Sequence, residues 1–417
     1  MRHNFAIMLI TVLLAGCANK EVNLENYTPI EGITAKAKEN RFRAKNVVNN
    51  LRWQQSQRAY QNQMGNLHLK GMNPLMGIHT GDMLQASFPK SIAIDNGIIY
   101  VLTHKNYVRA YNSETGNFVW KTDLEFEEGV SSAIPVGGLA VSGDKLFVTE
   151  GNKLLYCIDN KNGEIKWTTK LEGFTRAAPV VAGNRVFIQT VSGTIYAIST
   201  IDGKIEWRNW AIQDEVNTIA SQAFVVTDSH LITQNTKGYL QIIDRKDGSD
   251  VFSGSIIKTY AKKVDLAGAR VQPILTKYGL LTYTSAGNVM MFDLQNYQLK
   301  WNFSYNITNP MWIMGDIAYG LSLDGYVIAF NLQKGEVYWK YQLPKSKHAV
   351  HWNPPVVVNG EVFIAGNNGK LIALNAEDGS FAGSYKIEKD VYTAPVVANG
   401  AMYLIANSGR IIKYGLE

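Results

Sequence analysis

Ala178-Pro179-Val180-Val181, Asn184-Arg185-Val186-Phe187-Ile188-Gln189, Gly193-Thr194-Ile195-Tyr196-Ala197-Ile198-Ser199 and Lys204-Ile205-Glu206-Trp207-Arg208 are four short apolar or alternating runs in succession. Gly183-Asn184, Ser192-Gly193 and Asp202-Gly203 separate them. That arrangement predicts a four-stranded antiparallel meander. The first run recurs as Ala394-Pro395-Val396-Val397, Pro354-Pro355-Val356-Val357 and Gln272-Pro273-Ile274-Leu275. A proline at its start suits a strand whose outer edge stays unpaired.

Working outward, the third run recurs eight times, at 107–112, 154–159, 194–199, 239–244, 288–293, 326–331, 370–375 and 410–415. Successive copies start about 38 to 49 residues apart, the period of four-stranded propeller blades rather than of helical repeats. Gly follows at 116, 163, 203, 248, 335 and 379, and Trp at Trp120, Trp167, Trp207, Trp301 and Trp339. An indole lying on the glycine turn of the next blade would bury a large apolar area and keep its N–H bonded. Phe252, Tyr297 and Gly383 break the frame, which predicts outer corners there that are looser or covered by something else.

The expected fold is therefore all-β: an eight-bladed β-propeller of four-stranded antiparallel blades, closed by an N-terminal strand pairing with the C-terminal blade. Eight inner triplets are followed by only seven outer strands, and residues 51–55, with Trp53 in the docking role, are expected to supply the eighth. At 417 residues, 46% hydrophobic and 11% aromatic, one closed architecture can use nearly the whole chain. The net charge of +6 is too small over this length to imply nucleic acid.

Arg2 and His3 precede an apolar run over residues 5–14, too short to span a bilayer but suited to a signal peptide. It ends at Leu14-Ala15-Gly16-Cys17, which resembles the bacterial lipobox, implying an acylated Cys17. Multiple acyl chains would anchor the protein firmly. With no Asp after Cys17, the resemblance points to the outer membrane. The expected organisation is a signal peptide over 1–16, a lipidated polar tether over 17–50 and the propeller over 51–417. A short amphipathic helix over 34–52 is the alternative form of the tether's end.

Chemical candidates are few. Cys157 occupies the slot held elsewhere by Ala110, Ala197, Ala329 and Ala373, as a small buried residue would. Asn112, Asp159, Asp244, Asp293, Asn331 and Asn375 recur with the repeat, which assigns them to turns rather than to acid–base catalysis. His348 and His351 lack a third donor at ligand spacing, so no metal site is expected. Neither a nucleophile triad nor a phosphate loop stands outside the repeat, and no cofactor is called for.

The frame Ala-x-Asn/Asp-x-x-x-Gly-x-x-x-Trp, as in Ala110 to Trp120 and Ala329 to Trp339, resembles the tryptophan-docking repeat of the PQQ propeller superfamily. With the lipobox and eight copies, the mature chain is similar to the BamB-like outer-membrane assembly lipoproteins, including Trp53-Gln54-Gln55 and Met64-Gly65-Asn66-Leu67 in an extended entry. That resemblance implies a non-enzymatic scaffold at the periplasmic face of the outer membrane. It implies as partners a POTRA domain of BamA, other BAM subunits and unfolded outer-membrane proteins, with no nucleic acid. The family contacts BamA through two long inter-blade connectors, here after Trp207 and Phe252. Val216 and Asn217 stand near the family's Leu-Arg positions, and Gly268 and Arg270 near its acidic pair. Val216, Leu266 and Arg270 are chosen as partner-binding residues from connector length and apolar content alone. A PQQ-dependent dehydrogenase shares the repeat, but this chain lacks a vicinal cysteine pair and spare length for added loops. A propeller scaffold for another envelope complex is the remaining alternative.

Overall fold

A computed structural model describes residues 47–48, 50, 52–54, 65–80, 92–103, 105–125, 137–149, 151–175, 178–210, 224–234, 239–255, 273–284 and 287–416. Within them, 32 strands form eight four-stranded antiparallel sheets, the blades of an eight-bladed propeller. Blade 1 runs Ile92–Asp95, Ile98–Leu102, Tyr107–Asn112 and Phe118–Asp123, from the channel outward. Blades 2 to 7 repeat that order through residue 386.

The hairpins follow from their turn residues. Asn96-Gly97, Asn359-Gly360 and Asn399-Gly400 all take positive φ, the backbone of the two-residue turn that matches strand twist. The third strand Thr194–Ser199 is buried along its whole length, and most other third strands along their middle, because neighbouring blades cover both faces. Fourth strands alternate, as in Phe118–Asp123, because their outer edge meets solvent. The core accordingly lies between blades, where Phe147, Tyr156, Phe187, Tyr196 and Phe330 are fully buried.

Blade 8 closes the ring. Its inner strands are Val396–Ala398, Ala401–Ile405 and Arg410–Leu416, and its outer strand is Asn73–His79, paired antiparallel from Asn73 opposite Leu416 to His79 opposite Arg410. An N-terminal strand does complete the last blade, but it lies about twenty residues beyond the segment expected for it. Trp53 is not on it and does not dock on a turn. Nor do residues 47–54 contain a helix among the described residues; Val48 and Trp53 make β-bridges instead.

The blade-to-blade junctions share one geometry. Each docking indole lies on the next blade's glycine, so a Cβ at Gly163, Gly203, Gly248, Gly335 or Gly379 would sit 2.6–2.7 Å from Trp120, Trp167, Trp207, Trp301 or Trp339. The indole N–H groups of Trp120, Trp207 and Trp339 donate to the carbonyls of Asn160, Arg245 and Ala376 at 3.1–3.2 Å. Trp167 Nε1 has no acceptor among the described residues, while the Lys145 ammonium donates to the Thr200 carbonyl at 2.8 Å. In four blades a small residue faces the indole across the outer strand pair, Ala110 opposite Trp120, Cys157 opposite Trp167, Ala197 opposite Trp207 and Ala329 opposite Trp339, with a bulge just beyond, whereas Met291 faces Trp301.

The exceptions have local causes. Where Tyr297 replaces glycine it takes φ 58° and stacks on Phe252, centroids 4.4 Å apart and rings 11° from parallel. That corner is filled, not loose. Gly383 faces blade 8, whose outer strand arrives from Asn73–His79 rather than through a glycine turn. On the other side of the closing strand, Met76 takes the indole's place, its sulfur 2.8 Å from the Cβ position of Gly116.

Candidate functional site

An antiparallel meander puts its first and third turns at one end of the ring and its second turn and inter-blade connectors at the other. The two ends carry different features. At the connector end, blade 3 finishes with Ile205–Trp210 and blade 4 starts at Val225–Val226; blade 4 finishes with Asp250–Ser255 and blade 5 starts at Ile274–Thr276. Two long connectors thus flank a single blade on one face, and the connector between Asp123 and Gly138 matches the shorter of them in length. Val216, Leu266 and Arg270 lie on them, outside the described residues, as does Cys17. What is described at their root is Trp210, 67% exposed, with its carbonyl accepting from Gln241 at 3.2 Å. A large apolar side chain displayed beside two long loops suits contact with another protein. It follows Trp207 by three residues, outside the docking frame, and that displacement is the signal sequence reasoning passed over.

The turn end is different: residues 47–48, 50, 52–54 and 65–70 lie round the channel mouth as a collar. Asn399 N–H donates to the Asn50 carbonyl and Asn50 Nδ2 to the Val397 carbonyl, both at 2.7 Å, on blade 8. Trp53 exchanges two backbone bonds with Ile94 of blade 1, at 2.7 and 2.9 Å, and Val141 of blade 2 donates to the Gln54 carbonyl at 2.9 Å. The chain returns at Gly65, whose carbonyl accepts from Trp312 Nε1 of blade 6 at 2.8 Å. Leu67 then bonds Val357 and Asn359 of blade 7, and Lys70 bonds Gly400 of blade 8. Val48 pairs with Leu67, so the collar is stitched to itself.

Electrostatics hold the same segment. Asp95, with a side chain 2% exposed, receives Arg52 Nε at 3.2 Å and Gln54 Nε2 at 3.0 Å. Burial pushes the Asp95 carboxyl up, and Arg52 and the Gln54 hydrogen bond pull it back. In the middle, Trp53 stacks on Trp312 with centroids 6.3 Å apart and planes at 19°. The sequence flagged Trp53 but gave it another role. An isolated Trp followed by Leu67 and Leu69 in an otherwise polar entry was the available signal.

The remaining candidates have structural roles. Cys157 is fully buried, and burial pushes its thiol up to about 12, so it is not a thiolate at neutral pH. The carboxamide or carboxylate oxygens of Asn112, Asp159, Asp244, Asp293, Asn331 and Asn375 accept backbone N–H groups two residues on, at 2.7–2.9 Å. His351 is exposed and packs on Tyr392 at 5.5 Å. Among the described residues no three His, Cys, Asp or Glu side chains cluster as metal ligands.

A family model described as "Outer membrane protein assembly factor BamB" matches residues 104–341 and 342–416. The chain belongs to the BamB family. BamB of Escherichia coli K12 is 28% identical over 303 residues, covering 71% of this chain and 76% of that relative. The crystal structure of BamB from Moraxella catarrhalis superposes with a TM-score of 0.69 at 18% identity, covering 83% of this chain and all of that one. A quinohemoprotein alcohol dehydrogenase from Comamonas testosteroni superposes at 0.64 and 13% identity, covering 89% of this chain and 80% of that one, which is a likeness of fold alone.

Proposed function

We propose that this chain is a non-catalytic scaffold for outer-membrane β-barrel assembly, held at the periplasmic face by a lipid on Cys17 and docked on a POTRA domain of BamA. The observation that carries this reading is the BamB family match across 104–416. The geometry agrees with it: the repeated polar residues serve turns, the buried thiol serves packing, and Trp210 is exposed at the start of a long connector. In this account the anchor keeps the ring near the membrane, the connector face docks, and the ring orients the machine or its incoming barrels. Val216, Leu266 and Arg270 are the first connector residues to substitute.

Deletion of the gene tests the reading. Levels of large outer-membrane barrels are expected to fall, measured by quantitative proteomics of outer membranes, with no metabolic activity lost. Unchanged barrel levels and insertion kinetics would sink it. The dehydrogenase alternative rests on fold likeness at 13% identity. Dye reduction by the purified protein after addition of PQQ and calcium would revive it.

A further inference from the structure

The innermost strand of every propeller blade presents an unpaired edge to the channel, and an unpaired edge is a template for strand addition. Here the turn-end mouth uses that template on the chain itself. Residues 50, 53 and 54 bond blades 8, 1 and 2 in turn, and each contact is of a kind an extended peptide makes. The backbone N–H and C=O of Trp53 both bond Ile94, its indole lies against Trp312, and Arg52 and Gln54 converge on the buried Asp95. The polar contacts are side-chain specific: Asn50, itself 5% exposed, reaches the Val397 carbonyl. Asn50, Arg52, Trp53 and Gln54 are thus held through their side chains as well as through the backbone.

We propose that the turn-end mouth is a binding site for an extended peptide and that residues 47–54 of this chain are its resident ligand. The ligand class is an extended segment with a tryptophan preceded by a cation and followed by a carboxamide. Asp95 reads the polar pair, Trp312 reads the indole and the inner strands read the backbone. The site is distinct from the connector face and does not depend on the assembly function. Occupied in cis, it keeps the inner edges of blades 8, 1 and 2 from capturing other extended chains.

The test separates the ligand from the ring without unfolding either. A protease recognition sequence replaces residues 58–63 in the full-length protein, which is cut after purification in detergent. The N-terminal fragment is expected to stay with the propeller in gel filtration and to be displaced by excess synthetic peptide of residues 46–56. The Trp53→Ala peptide is expected to need about tenfold more to do so. Release of the fragment on cutting alone, or equal competition by the two peptides, overturns the proposal. Should the insertion prevent folding, Asn50→Cys with Asn399→Cys in a Cys157→Ala background reports the same contact. Disulfide formation that excess peptide suppresses supports the site. Two persistent thiols, or crosslinking that peptide leaves unchanged, overturn it.

Discussion

At Gly379 two independent constraints meet. Its φ of 74° suits glycine, and a Cβ would stand 2.6 Å from the ring of Trp339. Gly379→Ala is expected to cost about 2–4 kcal/mol, combining left-handed strain with overpacking, read as a shift in the denaturant midpoint. The Phe252–Tyr297 stack makes a sharper prediction, since the two rings replace the indole and the glycine of the regular junction together. Phe252→Trp and Tyr297→Gly should each destabilise, whereas the pair together rebuilds the regular junction. A double-mutant cycle should show a coupling of about 0.5–3 kcal/mol. Additive effects would mean the two rings are independent. Cys157 should resist alkylation at pH 8 in the native protein and react once denatured, read by mass spectrometry of its peptide, because burial pushes its thiol to about 12. The small slot at Cys157 was legible from the alanines in register with it. The Phe–Tyr compensation was not, because its partners come from adjacent blades and the repeat frame marks each only as a departure.

Among the elements, the closing strand and the collar carry the instructive difference between sequence and structure. Closure by an N-terminal strand follows from counting strands. Which strand does it depends on a docking residue, and a methionine at position 76 fills the slot where the frame predicts an indole. Trp53 has the right side chain but pairs with the innermost strand of blade 1 instead. The collar's attachment also predicts a pH dependence. Asp95 is raised above the ordinary 3.8, so the folded chain holds that proton more tightly than the unfolded chain does. Its contribution to stability is fully present below 3.8 and is lost as pH rises through the higher folded value. Asp95→Asn is expected to flatten that part of the stability–pH curve; an unchanged slope would assign it to another group.

Seen whole, the molecule is a ring with two unlike ends: a mouth edged by its own chain, and a face from which two long connectors leave around blade 4. The ring was legible because eight copies each repeat the same turn and strand chemistry, so one copy's ambiguities are resolved by the others. The partner-binding residues were not legible, because connectors carry no repeat and their fit is defined by a surface on another protein. Trp210 on that face is expected to matter for association and not for folding: Trp210→Ala should weaken partner recovery while leaving the melting temperature within a few degrees. The central claim is that the ring serves the barrel-assembly machine. It is tested most directly by affinity capture of the tagged, lipidated protein from detergent-solubilised outer membranes, with mass spectrometry of what comes with it. BamA and the other BAM subunits are the expected recovery, reduced when Val216, Leu266 and Arg270 are replaced together. Recovery of a different envelope complex with no BamA would contradict the account.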